Sequence, residues 1–391
     1  MKRILAFALS LCIAVGAVPE LSNYVPDMAI NASAEDVSYS FDSSTGTLTI
    51  SGTGAMQDYV EGGESAPWNI YYGKVKEVVI GSGVTHIGIR AFAGFDTITT
   101  VTISDSVTSI GEKAFTYCTN LSTLTLPDTI TTIGDSAFSN CEKLTSVTMP
   151  KALTSLGEHA FGSCVGLKNI TFPDCNASIG AYAFCLCTSL QFVTLGNGSI
   201  SIGEMAFIFC SSLWLVTVEN GLTSIGDYAF SGCSDLGGFV LPRSVTSVGI
   251  GAFSGCSSMG YFTVRNPNCY IADSATTISH GYNSEIQRYY FDGTIYCYSG
   301  STAQAYAEKY GYSYKLRSDT TPGDADLNDV VDAIDASLVL THYSLTSTGK
   351  SGVITDENSL GAADYDGNEV IDARDASAIL TYYADQSVNK T

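Results

Sequence analysis

The stretch Thr223–Leu241, TSIGDYAFSGCSDLGGFVL, is one copy of a unit that recurs along the chain with little change. The phenylalanine of its Ala-Phe pair returns at Phe92, Phe115, Phe138, Phe161, Phe184, Phe207, Phe230 and Phe253, at steps of 23 residues without insertion or deletion. Self-similarity at a fixed period of about 20–29 residues marks a solenoid, in which each unit buries its apolar face only by stacking on its neighbours. That period takes precedence over any local propensity.

Each copy also carries an L-x-x-L-x-L stretch, such as Leu121, Leu124 and Leu126, or Leu190, Val193 and Leu195. Its last two apolar positions are two residues apart, so on a strand both point inward and the residue between them points outward. That outward residue is threonine at Thr102, Thr125, Thr148, Thr171, Thr194, Thr217 and Thr263. Stacking these strands predicts a parallel sheet with a β-branched outer column. Proline often ends the strand, at Pro127, Pro150, Pro173 and Pro242. A second short extended piece ends in Ile-Gly, as at Ile110-Gly111, and an Ala-Phe-x-x-Cys turn follows it.

Cys118, Cys141, Cys164, Cys187, Cys210, Cys233 and Cys256 occupy one repeat position, which Phe95 fills in the first copy. A slot that accepts cysteine or phenylalanine is an apolar packing slot. Side chains in one column point in parallel, a poor geometry for disulfides. The expectation is a buried thiol ladder, with Cys269–Cys297 as the one disulfide worth testing.

The pattern IGxxAFxxCxxLxxLxLP resembles the BspA-type bacterial surface leucine-rich repeats over Val75 to Val264. The resemblance implies a leucine-rich-repeat β-solenoid, secreted or surface-exposed, whose repeats bind other molecules and carry no catalysis.

Lys2-Arg3 followed by the apolar run Ile4 to Val18 reads as an export signal, with a small-residue cleavage site at Ala32-Ser33-Ala34. The chain then divides into a signal peptide (1–34), an N-terminal cap (35–74), the repeats (75–265), a C-terminal cap (266–316), a linker (317–322), an acidic module (323–386) and a tail (387–391). In the first cap, Ser38 to Ile50 alternates around Ser44-Thr45-Gly46 as a hairpin, and Trp68 is expected to pack there. In the second, Ser301-Thr302-Ala303-Gln304 is a capping box and Gly311 a helix stop. Tyr289, Tyr290 and Tyr296, with other aromatics, are expected to cover the last rung. No segment of the mature chain is long and apolar enough to span a bilayer.

The formal charge is −21, with 39 acidic and 18 basic residues. This disfavours nucleic acid and anionic membrane surfaces as partners and favours calcium. Asp324 to Gln386 concentrates thirteen acidic and two basic residues. Two twelve-residue loops explain them: Asp324, Asp326, Asn328, Val330, Asp332 and Asp335, then Asp364, Asp366, Asn368, Val370, Asp372 and Asp375. Positions 1, 3, 5 and 12 offer side-chain oxygens, 7 a carbonyl and 9 a direct or water-bridged oxygen, the hard donor set that calcium requires. Two Ca2+ ions are expected. Position 6 is Asp329 and Glu369 rather than glycine, and position 12 is aspartate rather than glutamate. A helix should follow each loop, Ala336 to Tyr343 and Ala376 to Tyr383.

This duplicated loop-helix unit is similar to the type I dockerin of cellulosomal proteins, a small all-α calcium-binding module. The resemblance implies docking to a cohesin module of a scaffoldin. Loop positions 10 and 11, which contribute to cohesin choice in that family, fall at Ala333, Ile334, Ala373 and Arg374. The family's usual Ser-Thr pair is absent. Near-twofold symmetry suggests that either helix face binds.

The sequence offers no nucleophile elbow, phosphate loop or zinc-type cluster, and no catalytic residue is assigned. Glu112, Asp135, Glu158, Glu204 and Asp227 recur at one repeat position and read as a solvated edge. Outward strand positions are mostly Thr, Ser or Asn, but Phe192, Trp214, Leu215 and Tyr261 break the rule. In the same rungs Cys185-Leu186 and Ile208-Phe209 replace the usual Ser-Gly or Ser-Asn. Clustered exposed apolar side chains suggest an interaction patch for a protein or polysaccharide; the alternative is contact with a cap or a neighbouring rung. The reading is a secreted non-catalytic binding subunit, tethered through the dockerin and serving plant polysaccharide degradation. The alternatives are an adhesin for host or matrix protein, and a polysaccharide-active hydrolase with an unrecognised site.

Overall fold

The computed structural model describes residues 37–317, 325, 331, 333–348, 354, 363–364 and 370–388, with side chains to 381. The expected signal segment, most of the linker and seven of the twelve calcium-loop positions lie outside these residues.

The repeats wind as a parallel solenoid in a constant register. Asn169, Phe192 and Leu215 lie side by side on successive rungs, as do Ile170, Val193 and Val216. One face carries three consecutive sheets of five, four and four strands, divided between Thr123–Thr125 and Ser146–Thr148 and between Leu215–Val218 and Gly238–Leu241. The Ile-Gly pieces form a second, unbroken ten-stranded sheet from Gly54–Ala55 to Tyr270–Ile271. Inward strand residues such as Val193 and Leu195 are buried, and the threonine column is open except at Thr263. Thr263 is buried where the C-terminal cap adds Tyr296 beside it.

The Ala-Phe plug fills the space between the sheets. The eight phenylalanine rings form one stack with centroids 4.9–5.5 Å apart. Burying rings of this size supplies much of the driving force for stacking rungs. Trp68 starts the stack: its ring lies 5.4 Å from Phe92 and its indole N–H donates to the Ala91 carbonyl at 2.8 Å. The hairpin Val37–Asp42/Thr47–Gly52 covers this end as expected, turning at Gly46 with φ +78°.

Each turn holds two left-handed residues. One lies two residues before the phenylalanine (Arg90, Lys113, Ser136, His159, Tyr182, Met205, Tyr228, Gly251). The other immediately precedes the ladder position (Gly94, Tyr117, Asn140, Ser163, Leu186, Phe209, Gly232, Gly255). A non-glycine residue pays about 1–2 kcal/mol for this conformation. The turn is held in place because its N–H groups donate to the next rung, as from Tyr182, Phe184 and Leu186 to Glu204, Ala206 and Ile208.

All eleven described cysteines are buried and free. The ladder thiols are more than space fillers. Each donates its S–H to the carbonyl of the phenylalanine one rung back, from Cys118 to Phe92 (3.3 Å) through Cys256 to Phe230 (3.3 Å). Burial pushes the Cys256 thiol up to about 12, so it stays protonated and able to donate. The Cys269–Cys297 disulfide is a correction, since both residues are separate buried thiols in the cap.

The C-terminal cap closes the last rung with Phe291, Tyr298, Tyr306 and Tyr312, which are buried. This corrects the expectation for Tyr289, which is exposed on the hairpin Gly281–Asn283/Arg288–Tyr290; Tyr290 and Tyr296 are half-buried. Ser301 caps the helix Thr302–Tyr310 by accepting from the Gln304 N–H, and Gly311 ends it at φ +69°. The return bond of the capping box shifts by one residue, because the Gln304 side chain accepts from the Gly300 N–H at 2.7 Å.

The acidic module has its own small core: Ala336, Val339, Ala376 and Ile379 with Ala325, Ile354 and Ala363. Its helices run Ala333–Thr346 and Ala373–Val388, each starting three residues before the expected boundary. Asp335 and Asp375 fall in the first turns, where a carboxylate complements the positive end of the helix dipole.

Candidate functional site

Three of the four sequence departures on the strand face meet in space, and the fourth, Tyr261, leans over the rung beside them. Phe192 and Leu215 are register partners, and Phe192 packs edge-to-face against Trp214 with centroids 5.3 Å apart. The next residue of that column is Gly238, the partner of Tyr261. A Cβ at Gly238 would lie 2.3 Å from the Tyr261 ring, so the tyrosine leans back over bare backbone towards Leu215. The four side chains are 36%, 50%, 37% and 42% exposed for Phe192, Trp214, Leu215 and Tyr261.

Glycine shapes the floor beside them. Gly237 and Gly260 hold the repeat position of Trp214 on the two following rungs, and a Cβ at Gly237 would touch nothing. Their backbones remain laddered, with the Gly260 N–H donating to the Gly237 carbonyl at 2.9 Å. The result is an aromatic wall over a shallow backbone shelf, on the line where the strand face divides between sheets. Such a surface stacks on a flat or apolar ligand and offers hydrogen bonds from its edges.

The companion departures sit in the turn, a different part of the rung. Leu186 and Phe209 are exposed at left-handed positions, and Phe209 lies over Gly232, where a Cβ would come within 2.5 Å of its ring. Cys185 is buried and Ile208 half-buried. The sequence pointed to these residues but not to the left-handed backbone that displays them; recurrent Gly, Asn and Ser at that position were the available signal.

The acidic edge is exposed at Asp135, Glu158, Glu204 and Asp227 and half-exposed at Glu112. Along this edge Asp135 accepts from the Glu158 N–H and Asp227 from the Ile250 N–H, both at 2.7 Å, and Glu112 pairs with Lys113 at 2.6 Å.

In the acidic module, Asp335 and Asp375 are fully buried at equivalent places, and Asp375 Oδ2 accepts from the Asp372 N–H at 2.8 Å. Asp364 and Asp372 are half-buried and Val370 is exposed. The positions Asp324, Asp326, Asn328, Val330, Asp332, Asp366 and Asn368 lie outside the described residues. Among the described residues no three His, Cys, Asp or Glu side chains gather at one point. A buried carboxylate at each helix start, joined in sequence to an all-oxygen donor set, fits a hard cation.

Ala333, Ile334, Ala373 and Arg374 are all exposed at the starts of the two helices. The two helices share one burial pattern over 333–340 and 373–380. A shallow groove of about 400 Å³ is lined by Ala333, Ile334, Ser337, Leu338 and Thr341. Arg374 pairs with Asp372 at 3.2 Å. The two helix starts therefore differ in one chemical respect, an isoleucine on one and an arginine on the other.

The family profile described as BspA type leucine rich repeat region matches residues 69–187 and 159–283. The acidic module lies beyond that match. Among solved structures, a Bacteroides ovatus leucine-rich repeat protein is 24% identical, covering 68% of this chain and 71% of its own, with a TM-score of 0.49. A T. pallidum leucine-rich repeat protein is 26% identical over 53% of this chain and 91% of its own (TM-score 0.40). A Faecalibacterium prausnitzii leucine rich cell surface protein is 20% identical over 72% and 97% (TM-score 0.29). No curated protein matches the chain.

Proposed function

Because the chain belongs to the BspA-type leucine-rich repeat family, we propose that it is a non-catalytic surface-binding protein whose ligand seats on the Phe192–Trp214–Leu215–Tyr261 wall. The observation that carries this is the convergence of four exposed apolar side chains on a floor cleared by glycine. The stacked rungs hold these side chains in fixed positions, so the ligand meets a surface that is already organised. Trp214 is the expected anchor, since exposed indoles at the centre of such patches carry a large share of binding energy.

We further propose that the acidic module takes two calcium ions and tethers the repeats to a cohesin-bearing scaffoldin outside the cell, in plant polysaccharide degradation. Asp324, Asp326, Asn328, Val330, Asp332 and Asp335 would hold one ion, and Asp364, Asp366, Asn368, Val370, Asp372 and Asp375 the other. Bound calcium would supply the positive charge that sets the helix starts in place for docking. Ala333, Ile334, Ala373 and Arg374 would then face the partner.

The test is a binding assay of full-length protein against plant cell-wall polysaccharide fractions and surface-protein fractions. Trp214→Ala should cost about 2 kcal/mol, roughly 30-fold in affinity. Unchanged binding to every fraction that retains the wild type would remove the wall as the site. Cohesin capture with calcium and with chelator tests the tether separately; capture that survives chelation would sink it.

A further inference from the structure

Cys185 has a different partner from the ladder thiols. Those seven donate to phenylalanine carbonyls, whereas the sulfur of Cys185 lies 3.3 Å from Nδ1 of His159, one rung back. The other imidazole nitrogen, Nε2, faces the Glu158 carboxylate at 3.7 Å. The ring is fixed by stacking on Tyr182, with centroids 4.7 Å apart and planes 10° from parallel. Thiol, imidazole and carboxylate are thus placed in line, the order in which a base activates a nucleophile and an anion supports the cation that forms.

The neighbouring rungs show that room was made for this pair. The residue after the phenylalanine is Ala93, Thr116, Ser139, Cys185, Ile208, Ser231 or Ser254 in the other copies, but Gly162 here. A Cβ at Gly162 would lie 3.2 Å from both the Cys185 sulfur and His159 Nδ1. His159 occupies a left-handed position at φ +53° and its side chain is 40% exposed, so the pair opens to solvent on the imidazole side. Cys185 is 5% exposed, the most accessible of the described cysteines.

We propose that Cys185 is a reactive thiol, activated by His159, that forms a mixed disulfide with low-molecular-weight disulfides. With its proton on Nε2, His159 takes the Sγ proton on Nδ1, and Glu158 stabilises the imidazolium. The Cys185 thiolate attacks one sulfur of R–S–S–R and the old S–S bond breaks. The departing thiolate recovers the proton from His159 and leaves as R–SH. The Cys185 sulfur is oxidised and the departing sulfur reduced, so the exchange needs no other reagent.

Burial pushes the Cys185 thiol up to about 11, so little thiolate exists at neutral pH without a base. Taking up the thiol proton therefore falls to the His159 imidazole. The other titratable groups facing the pair are Glu158, Tyr182, Cys164 and Cys187.

The experiment treats folded, full-length protein with cystamine and maps the adduct by peptide mass spectrometry. One adduct is expected, at Cys185, and none in Cys185→Ser. His159→Phe keeps a ring on Tyr182 and removes the base; it should slow the adduct about 100-fold. Glu158→Gln, on the exposed edge, should slow it with unchanged melting, and stands in if His159→Phe does not fold. Ladder cysteines reacting as fast as Cys185, or full-rate reaction in whichever folded variants are obtained, would overturn the proposal.

Discussion

Replacing Cys187 by valine keeps its packing slot filled with an apolar side chain and removes the S–H donor. The sulfur of Cys187 lies 3.3 Å from the Phe161 carbonyl, which also accepts the Cys164 N–H at 3.4 Å. The N–H bond is long, so the thiol donor matters to a carbonyl sealed from water. A buried hydrogen bond contributes about 1 kcal/mol net, and a weak S–H donor falls at the low end of that range. Cys187→Val should therefore cost about 0.5–1 kcal/mol. Cys187→Ala loses in addition the burial of roughly one methylene-sized group, about 0.8 kcal/mol, and should cost about 1.5 kcal/mol in total. The contacts repeat from Cys141 to Cys233, so the same pair of substitutions at Cys164 or Cys210 should give nearly the same values. Urea denaturation of the full chain, followed by tryptophan fluorescence and circular dichroism, measures the differences. Valine variants as stable as the wild type would reduce the ladder to packing alone and refute the donor role.

Gly232→Ala introduces a side chain at φ +75° against the Phe209 ring, and should destabilise the chain by about 1–2 kcal/mol while leaving the strand face intact; melting temperature and wall-fraction binding read the two effects apart. At the C-terminal cap, hydrogen bonds from Lys309 and Tyr310 lower the Asp273 carboxyl below its ordinary value of 3.8. The native state then binds this proton less readily than the unfolded chain. The contribution is present above about pH 4 and is lost as the pH falls through the depressed value. Asp273→Asn should thus be less stable than the wild type at pH 6, with the difference vanishing in strong acid, as followed by denaturation across pH.

Much of the solenoid was legible because its period never drifts. Once Phe92 to Phe253 are aligned, inward residues such as Val193 and outward ones such as Thr194 follow from strand alternation alone. The four apolar departures were legible for the same reason, since an irregularity is visible only against a fixed pattern. What escaped depends on contacts between rungs. The left-handed turns at Leu186 and Phe209 are stabilised by N–H groups reaching the next rung, at 2.9 and 2.8 Å, and no local propensity favours leucine or phenylalanine there. The thiol donors reach back to a carbonyl 26 residues away, which composition cannot reveal. The cap aromatics were misassigned because Tyr289 and Tyr298 look alike in sequence. Only the path of the hairpin sends one outward and leaves the other buried between Arg243 and Arg317, whose guanidinium carbons lie 5.0 and 5.7 Å from its ring.

These inter-rung bonds also explain where surface chemistry resides. The phenylalanine stack and its carbonyl–thiol bonds leave no freedom at the core positions, since a change there disturbs two neighbouring rungs at once. The two left-handed turn positions are fixed in backbone by bonds their side chains take no part in. They accept Arg90, His159, Leu186 and Phe209 at a similar conformational penalty. Outward strand positions are equally indifferent, and one column carries Asn169, Phe192 and Leu215 on a common ladder. A rung therefore offers a few display sites on a scaffold that does not register what they hold. The aromatic wall uses one of these sites and the His159–Cys185 pair another. Chemistry placed at either is added to the surface without altering the 23-residue step that supports it.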